Sequence, residues 1–122
     1  MALKTERLTI DDKGGIRRDG CYLGEILSGY LTIEDPIIAN SDEIGYSIRP
    51  KFTNRGYATE ALIAVTADRI SKNLVPILKI NKDNLKSQSV AKKAKYFPFT
   101  EKRWSVKGLA TNIKTKELEV LD

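Results

Sequence analysis

The run of residues 53–58 (TNRGYA), several of which are small or flexible, lies where a strand pattern gives way to a helix pattern. Ile44, Tyr46 and Ile48 alternate with small or polar residues, which predicts a strand, and apolar positions after Gly56 recur at helical spacing. The first N–H groups of a helix have no partner within the helix, and the helix dipole makes that end attractive to anions. The run is therefore predicted to bind a phosphate group.

The run lacks both common nucleotide-binding fingerprints, GxxxxGK followed by Ser or Thr and GxGxxG. It resembles motif A of the GNAT superfamily of N-acetyltransferases, Q/R-x-x-G-x-G/A, with Gly56 and Ala58 at the small positions and Thr53 in place of Gln or Arg. The flanking sequences EIGYSIRP and ATEAL are most similar to the branch that contains the ribosomal-protein and antibiotic N-acetyltransferases.

A second segment, residues 83–96, resembles the family sequence N-x-x-S-x-x-V-x-x-K-x-G-F. Asn84, Ser87, Val90 and Lys93 occupy the matching positions, whereas the family's Gly-Phe pair is replaced by Lys and Tyr. The two segments occur in the same order and at a similar spacing as the corresponding motifs of the family. The resemblance covers roughly residues 21–99 and implies acetyl transfer from acetyl-CoA to an amine.

The resemblance also implies where coenzyme A binds. Its pyrophosphate is expected on the loop, and its pantetheine arm between the strand before the loop and the strand after the first long helix. The predicted cofactor-binding residues are Tyr46, Ser47, Ile48, Thr53, Asn54, Arg55, Gly56, Tyr57, Ala58, Asn84 and Ser87.

Two catalytic residues follow from the same resemblance. Glu43 matches a position where some members carry a general base, and Ser87 matches the serine that the ribosomal-protein branch places near the departing thiolate. Many members use a tyrosine on the second helix, but Ala91 occupies that position here. Alternatives remain open from the residues themselves: Glu43 as a solvated carboxylate, and Ser87 or Asn84 as a helix-capping residue.

Periodicity and turn residues predict the elements that must position these groups. The expected class is α/β, a GNAT-like mixed and mostly antiparallel twisted sheet with two main helices. Helices are predicted over residues 57–72 and from Asp83 or Asn84 onward. The predicted strands cover residues 5–10, 22–33 with irregularities at Gly24 and Gly29, 43–48, 75–81, 97–106 and 117–121. A parallel crossover is predicted between Ile44 and Ile77.

Residues 11–20 (DDKGGIRRDG) separate the first two predicted strands. GNAT domains place two helices there, which need on the order of 25 to 35 residues. The usual first helix pair is therefore predicted to be absent, which leaves the acceptor site open, completed by another subunit, or absent. We expect a homodimer that covers apolar surface beside Leu23, Leu27 and Leu31.

Composition narrows the function classes. The 122 residues are expected to form a single GNAT-like acyl-CoA-binding domain, residues 1–122, and no apolar run suggests a membrane span or signal peptide, so the cytoplasm is the expected location. One cysteine and no histidine argue against an internal disulfide, a zinc site and a histidine-based triad, and no metal is expected.

Charge is unevenly distributed along the chain. Residues 1–50 carry six basic and nine acidic side chains, whereas residues 51–122 carry fifteen basic and seven acidic ones. The basic part favours a polyanionic cofactor, although lysines on a helix are often simply exposed to solvent. A nucleic-acid partner is not favoured, because the chain has no sequence motif of a nucleic-acid-binding domain. The acceptor is expected to be a small-molecule amine or a protein N-terminus, and the alternative function is a non-catalytic acyl-CoA-binding or interaction domain.

Overall fold

The computed structural model describes residues 2–29 and 41–106, which form one mixed sheet and two helices. The order of strands across the sheet is β1-β2-β3-β4-β5-β6-β8-β7. The strands are β1 Leu3–Lys4, β2 Thr9–Ile10, β3 Gly15–Arg18, β4 Cys21–Ser28, β5 Ser41–Ile48, β6 Val75–Lys79, β7 Tyr96–Pro98 and β8 Arg103–Val106, and the helices are α1 Tyr57–Ser71 and α2 Leu85–Lys93. The predicted fold class is confirmed.

The pairing of β5 with β6 is the parallel step in this otherwise antiparallel part of the chain. Ser41 lies opposite Val75, and Glu43 lies opposite Ile77. Two parallel neighbours need a crossover connection, and α1 supplies it. The predicted crossover between these strands is therefore confirmed.

Helix α1 begins after Gly56 because that residue adopts the left-handed conformation, with φ 81°, which is inexpensive only for glycine. Its buried face carries Ala61, Leu62 and Val65 against the sheet. The helix ends at Ser71, one residue before the predicted end. None of the described helices is long and apolar enough to cross a membrane.

One apolar cluster joins the sheet to both helices. Ile16, Leu62 and Ala91 are fully buried within it, and Tyr96 from β7 packs there with 1% of its surface exposed. The Tyr96 hydroxyl shares a hydrogen bond of 2.5 Å with Oγ1 of Thr66 on α1. Both helices are thus fixed relative to the strands that surround the site described below.

The N-terminal strands differ from the prediction. Residues 5–10 do not form one strand, because Thr5 N–H donates to the Leu8 carbonyl at 2.9 Å in a turn that separates β1 from β2. Residues 11–20 contain no helix, as expected, but they contribute strand β3, which pairs with β4.

Two other expectations need correction, and two lie outside the described residues. The closing strand predicted over residues 97–106 is a hairpin of β7 and β8, whose turn includes a bond from Phe99 N–H to the Arg103 carbonyl at 2.9 Å. Leu23 is buried and Leu27 is half-buried, so Leu23 does not provide the expected bare apolar surface. The second half of the segment 22–33, with Leu31, and the strand predicted over 117–121 lie outside the described residues.

Candidate active site

The two parallel strands separate beyond their first pairs. Their register extends from Ser41 and Val75 to Glu43 and Ile77, whereas β5 continues to Ile48. Arg49 N–H donates to the Leu23 carbonyl at 2.8 Å, so the odd-numbered residues of β5 bond to β4. The backbone groups of the even-numbered residues, including Tyr46, therefore point into the gap that opens towards β6.

A cavity of about 480 Å³ lies beside this gap, between the end of β5, the loop before α1, the start of α1 and one face of α2. Ten of the eleven predicted cofactor-binding residues line it: Tyr46, Ser47, Ile48, Thr53, Asn54, Gly56, Tyr57, Ala58, Asn84 and Ser87. The remaining lining residues are Phe52, Thr59, Lys86, Ser89, Val90 and Lys93. Two sequence segments about thirty residues apart thus form opposite walls of one cavity.

The loop reaches the helix through a compact series of turns. A single 3-10 turn covers Pro50–Phe52, and the Thr53 hydroxyl donates to the Pro50 carbonyl at 3.0 Å. The first helical bond of α1 runs from Glu60 N–H to the Gly56 carbonyl at 3.0 Å. By helix geometry, the N–H groups of the residues between them have no intrahelical acceptor, and these residues line the cavity.

The loop is held from behind by the N-terminal segment. Nη2 of Arg7 donates to the Arg55 carbonyl at 3.1 Å, and its Nε binds Oε1 of Glu60 at 2.7 Å. The same guanidinium carbon lies 4.7 Å from the centre of the Tyr57 ring, whose hydroxyl accepts from Arg18 at 2.8 Å. Arg55 is itself exposed and its side chain is not among those that line the cavity.

The α2 wall combines a capped helix start with basic side chains. The Asn84 side chain accepts the Ser87 N–H at 3.1 Å, so it serves as the N-cap of α2. Ser87 is half-buried on the cavity wall. Lys86 and Lys93 are exposed at the cavity and give this wall a positive charge.

The Tyr46 hydroxyl stands out among the polar groups of the site. It is buried, and it has no hydrogen-bond partner within residues 2–29 and 41–106. Burial raises the pKa of Tyr46, and the neighbouring Ser87 hydroxyl offsets part of this effect without meeting the geometry of a hydrogen bond. Burial also raises the pKa of Tyr96. The hydrogen bond with Thr66 offsets part of this increase, whereas the nearby Tyr46 and Asp42 add to it.

The two predicted catalytic residues are placed differently. Ser87 lies in the cavity wall, whereas Glu43 lies on β5 opposite Ile77 and is not among the residues that line the cavity. Successive residues of a strand point to opposite faces, so Glu43 shares a face with Ser47 rather than with Tyr46. The structure therefore does not bring Glu43 and Ser87 together in one cavity.

Sequence reasoning missed two features of the site. The period-2 pattern of β5 places Tyr46 on the same face as Ile44, which is buried, and this signal could have indicated an inward-pointing hydroxyl. The contribution of Arg7 had no local signal, because its partner Glu60 is 53 residues away along the chain.

Comparison with known proteins gives a consistent picture. The model of a family described as acetyltransferase (GNAT) domain matches residues 8–96. No curated protein matches the chain. A GNAT-family acetyltransferase structure from Bacillus anthracis is 20% identical, with a TM-score of 0.63 over 86% of this chain and 94% of that chain.

Two further solved structures share this fold. A GNAT-family acetyltransferase from Bordetella pertussis is 15% identical, with a TM-score of 0.69 over 86% of this chain and 96% of that one. A chimera of spermidine N-acetyltransferase from Vibrio cholerae is 14% identical, with a TM-score of 0.62 over 84% of this chain and 70% of that one.

Proposed function

Because the chain belongs to the GNAT family of N-acetyltransferases, we propose that it transfers the acetyl group of acetyl-CoA to an amine through the cavity between β5, α1 and α2. The observation that carries this proposal is the coincidence of three features in one place. They are the splayed strands, the start of α1 after Gly56, and the basic wall of α2.

The residues of the cavity fit coenzyme A in charge and in shape. The N–H groups at the start of α1 suit a pyrophosphate, and Lys86 and Lys93 add positive charge nearby. The backbone N–H and carbonyl of Tyr46 point into the gap between β5 and β6, where an extended pantetheine arm can bond to them as a strand would. Bound there, acetyl-CoA would supply the activated acetyl group.

Two side chains are assigned chemical roles in this proposal. Ser87 assists the departing thiolate from the α2 wall, and Glu43 accepts a proton from the amine, directly or through water. Glu43 lies on the opposite face of β5 from Tyr46, so it can act on an amine that approaches from that face. A backbone N–H of β5 polarises the thioester carbonyl.

The acceptor is proposed to be a small-molecule amine or a protein N-terminus. Similar structures include a spermidine N-acetyltransferase chimera and a ribosomal L7/L12 α-N-protein acetyltransferase, one from each class. No helix lies between β2 and β3, so this part of the described chain builds no helical wall over the acceptor side. Such openness suits a large acceptor or a wall from a second subunit.

A homodimer is part of the proposal. Ile63 and Ile70 on the outer face of α1 are 50% and 40% exposed, which is high for apolar side chains of this size. A twofold contact is the commonest way in which proteins cover such surface. Light scattering is expected to give twice the 13.7 kDa of one chain, and a mass of one chain at micromolar concentration would remove this part of the proposal.

The proposal is tested by binding first and by turnover second. Calorimetry should show that acetyl-CoA binds, and thiol release should then rise when spermidine or a peptide with a free N-terminus is added. Binding without thiol release across the amine panel would support the alternative, a non-catalytic acyl-CoA-binding domain. Absence of binding would contradict both functions.

A further inference from the structure

The buried hydroxyl of Tyr46 has no assigned partner, although its residue lines the cofactor cavity. A hydroxyl removed from water is unfavourable unless a hydrogen bond replaces the lost one. Such orphaned groups in native proteins call for an explanation, and a missing ligand is one of them. Tyr46 and the neighbouring Ser87 both line the cavity that is assigned to coenzyme A, so the inference drawn from this hydroxyl rests on the proposed function.

Among the described residues that line the cavity, Ser87 can assist the thiolate, but a serine hydroxyl is a weaker acid than a phenol. Ala91 is fully buried and has no polar group, and the hydroxyl of Tyr57 already accepts a hydrogen bond from Arg18. The other hydroxyls of the cavity belong to serines and threonines, which are far weaker acids than a phenol. An ordinary tyrosine has a pKa of roughly 10, and burial raises the pKa of Tyr46, so its phenol keeps its proton at neutral pH and is available as a proton donor.

We propose that Tyr46 is the catalytic acid that protonates the departing sulfur of coenzyme A. As the new C–N bond forms, the C–S bond breaks with its electron pair on sulfur, and the Tyr46 phenol gives its proton to that sulfur. The amine gives one proton to Glu43, directly or through water, and Glu43 then releases that proton to water. The Tyr46 phenolate regains one proton from water, passed on by the neighbouring Ser87 hydroxyl, so that charge and protons balance over one turnover.

The hydroxyl must meet the cofactor for this step to occur. It is shielded from solvent in the ligand-free form, and Ser87 is the polar side chain beside it on the cavity wall. The proposed step therefore requires a change of rotamer at Tyr46 or Ser87 that brings the hydroxyl into the cavity when coenzyme A binds. Other ionisable groups near this position are Tyr96, whose pKa Tyr46 raises, and Tyr57, Lys86 and Lys93 at the cavity.

The test uses coenzyme A itself, so it does not depend on the identity of the acceptor. Calorimetry measures affinity, and the ultraviolet absorbance of the thiolate reports the pKa of the bound thiol. Tyr46→Phe removes only the hydroxyl, and Tyr22→Phe serves as the matched control because Tyr22 is not among the cavity-lining residues. Removing a donor to the thiolate should raise the pKa of the bound thiol by about 1.

The expected result is an unchanged affinity, a raised thiol pKa in Tyr46→Phe alone, and turnover lowered about 100-fold with whichever amine supports it. An unchanged thiol pKa in Tyr46→Phe overturns the assignment while leaving the proposed function intact. A tenfold or greater loss of affinity also overturns it, because the hydroxyl would then serve ground-state binding. Failure of the parent protein to bind coenzyme A overturns both proposals.

Discussion

Arg7 and Glu60 form an ion pair across 53 residues of chain, with Nε of the arginine 2.7 Å from Oε1 of the glutamate. Glu60 also accepts from the Thr5 hydroxyl and from the Arg7 backbone N–H at 2.9 Å. A carboxylate in the first turn of a helix is favoured by the helix dipole. The N-terminal segment is thereby attached to the start of α1, directly behind the loop assigned to the pyrophosphate.

Arg7→Met should destabilise the protein and weaken coenzyme A binding. The substitution keeps an apolar stem but removes the pair with Glu60 and the bond to the Arg55 carbonyl, so we expect a loss of about 1–3 kcal/mol in the free energy of unfolding. Denaturant titration and calorimetry measure the two effects. The matched control is Arg17→Met, because the ion pair of Arg17 with Asp11 is long and exposed. This variant should change neither the free energy of unfolding nor the affinity for coenzyme A by much. Equal effects from both variants would contradict this role of Arg7.

Glu60 should make stability depend on acid pH. Burial works against its ionisation, but the hydrogen bonds from Thr5 and Arg7 outweigh it, and the pKa is lowered from the ordinary value of 4.5. Because the pKa of Glu60 is lower in the folded state than in the unfolded state, its ionised side chain stabilises the fold fully above pH 4.5. This stabilisation is lost as the pH falls through the folded-state pKa. Glu60→Gln should therefore show a weaker decline in the free energy of unfolding over that range, whereas the exposed Glu6→Gln should follow the parent. Parallel curves for Glu60→Gln and the parent would refute the assignment.

Gly56→Asp should reduce the affinity for coenzyme A more than Gly56→Asn does. Both side chains tolerate the left-handed conformation better than other residues, so the backbone strain at φ 81° is similar in the two variants. They differ in a charge that would lie beside the pyrophosphate. Calorimetry measures the difference, and circular dichroism checks that α1 persists. If the two variants bind equally well, the loop has a structural role only.

Ser87→Ala and Glu43→Gln should lower turnover with little change in cofactor affinity. Each removes a proton-transferring group, and such groups typically contribute about 100-fold or more to the rate. Steady-state thiol release measures turnover, and Glu101→Gln provides a control because Glu101 is exposed in the turn between β7 and β8. Unchanged turnover in either variant would remove that residue from the mechanism.

Local patterns predicted the part of the fold that carries the site. The alternation of Ile44, Tyr46 and Ile48 marked β5, and the apolar spacing after Gly56 marked α1 to within one residue of its end. The parallel pairing of β5 with β6 followed from the order strand, helix, strand. These elements are determined by periodicity, which is visible in a single sequence.

Other features depend on contacts that no local pattern encodes. Strand β3 is four residues long beside Gly14, too short for its period to be distinguished from a turn. The lack of a partner for the Tyr46 hydroxyl depends on how α2 packs against β5. Whether the Asn84 side chain caps α2 could not be decided from the sequence, and the bond from Ser87 N–H shows that it does so in this structure.

The splay between β5 and β6 divides the amides of one strand into two kinds. The N–H groups of Gly45 and Ser47 are paired with β4, whereas those of Tyr46 and Ile48 point into the gap. In the ligand-free protein the second set is open to solvent exchange, while the first is protected by the sheet. Deuterium uptake along β5 should therefore alternate residue by residue, and an extended molecule lying in the gap would remove that alternation by protecting both sets.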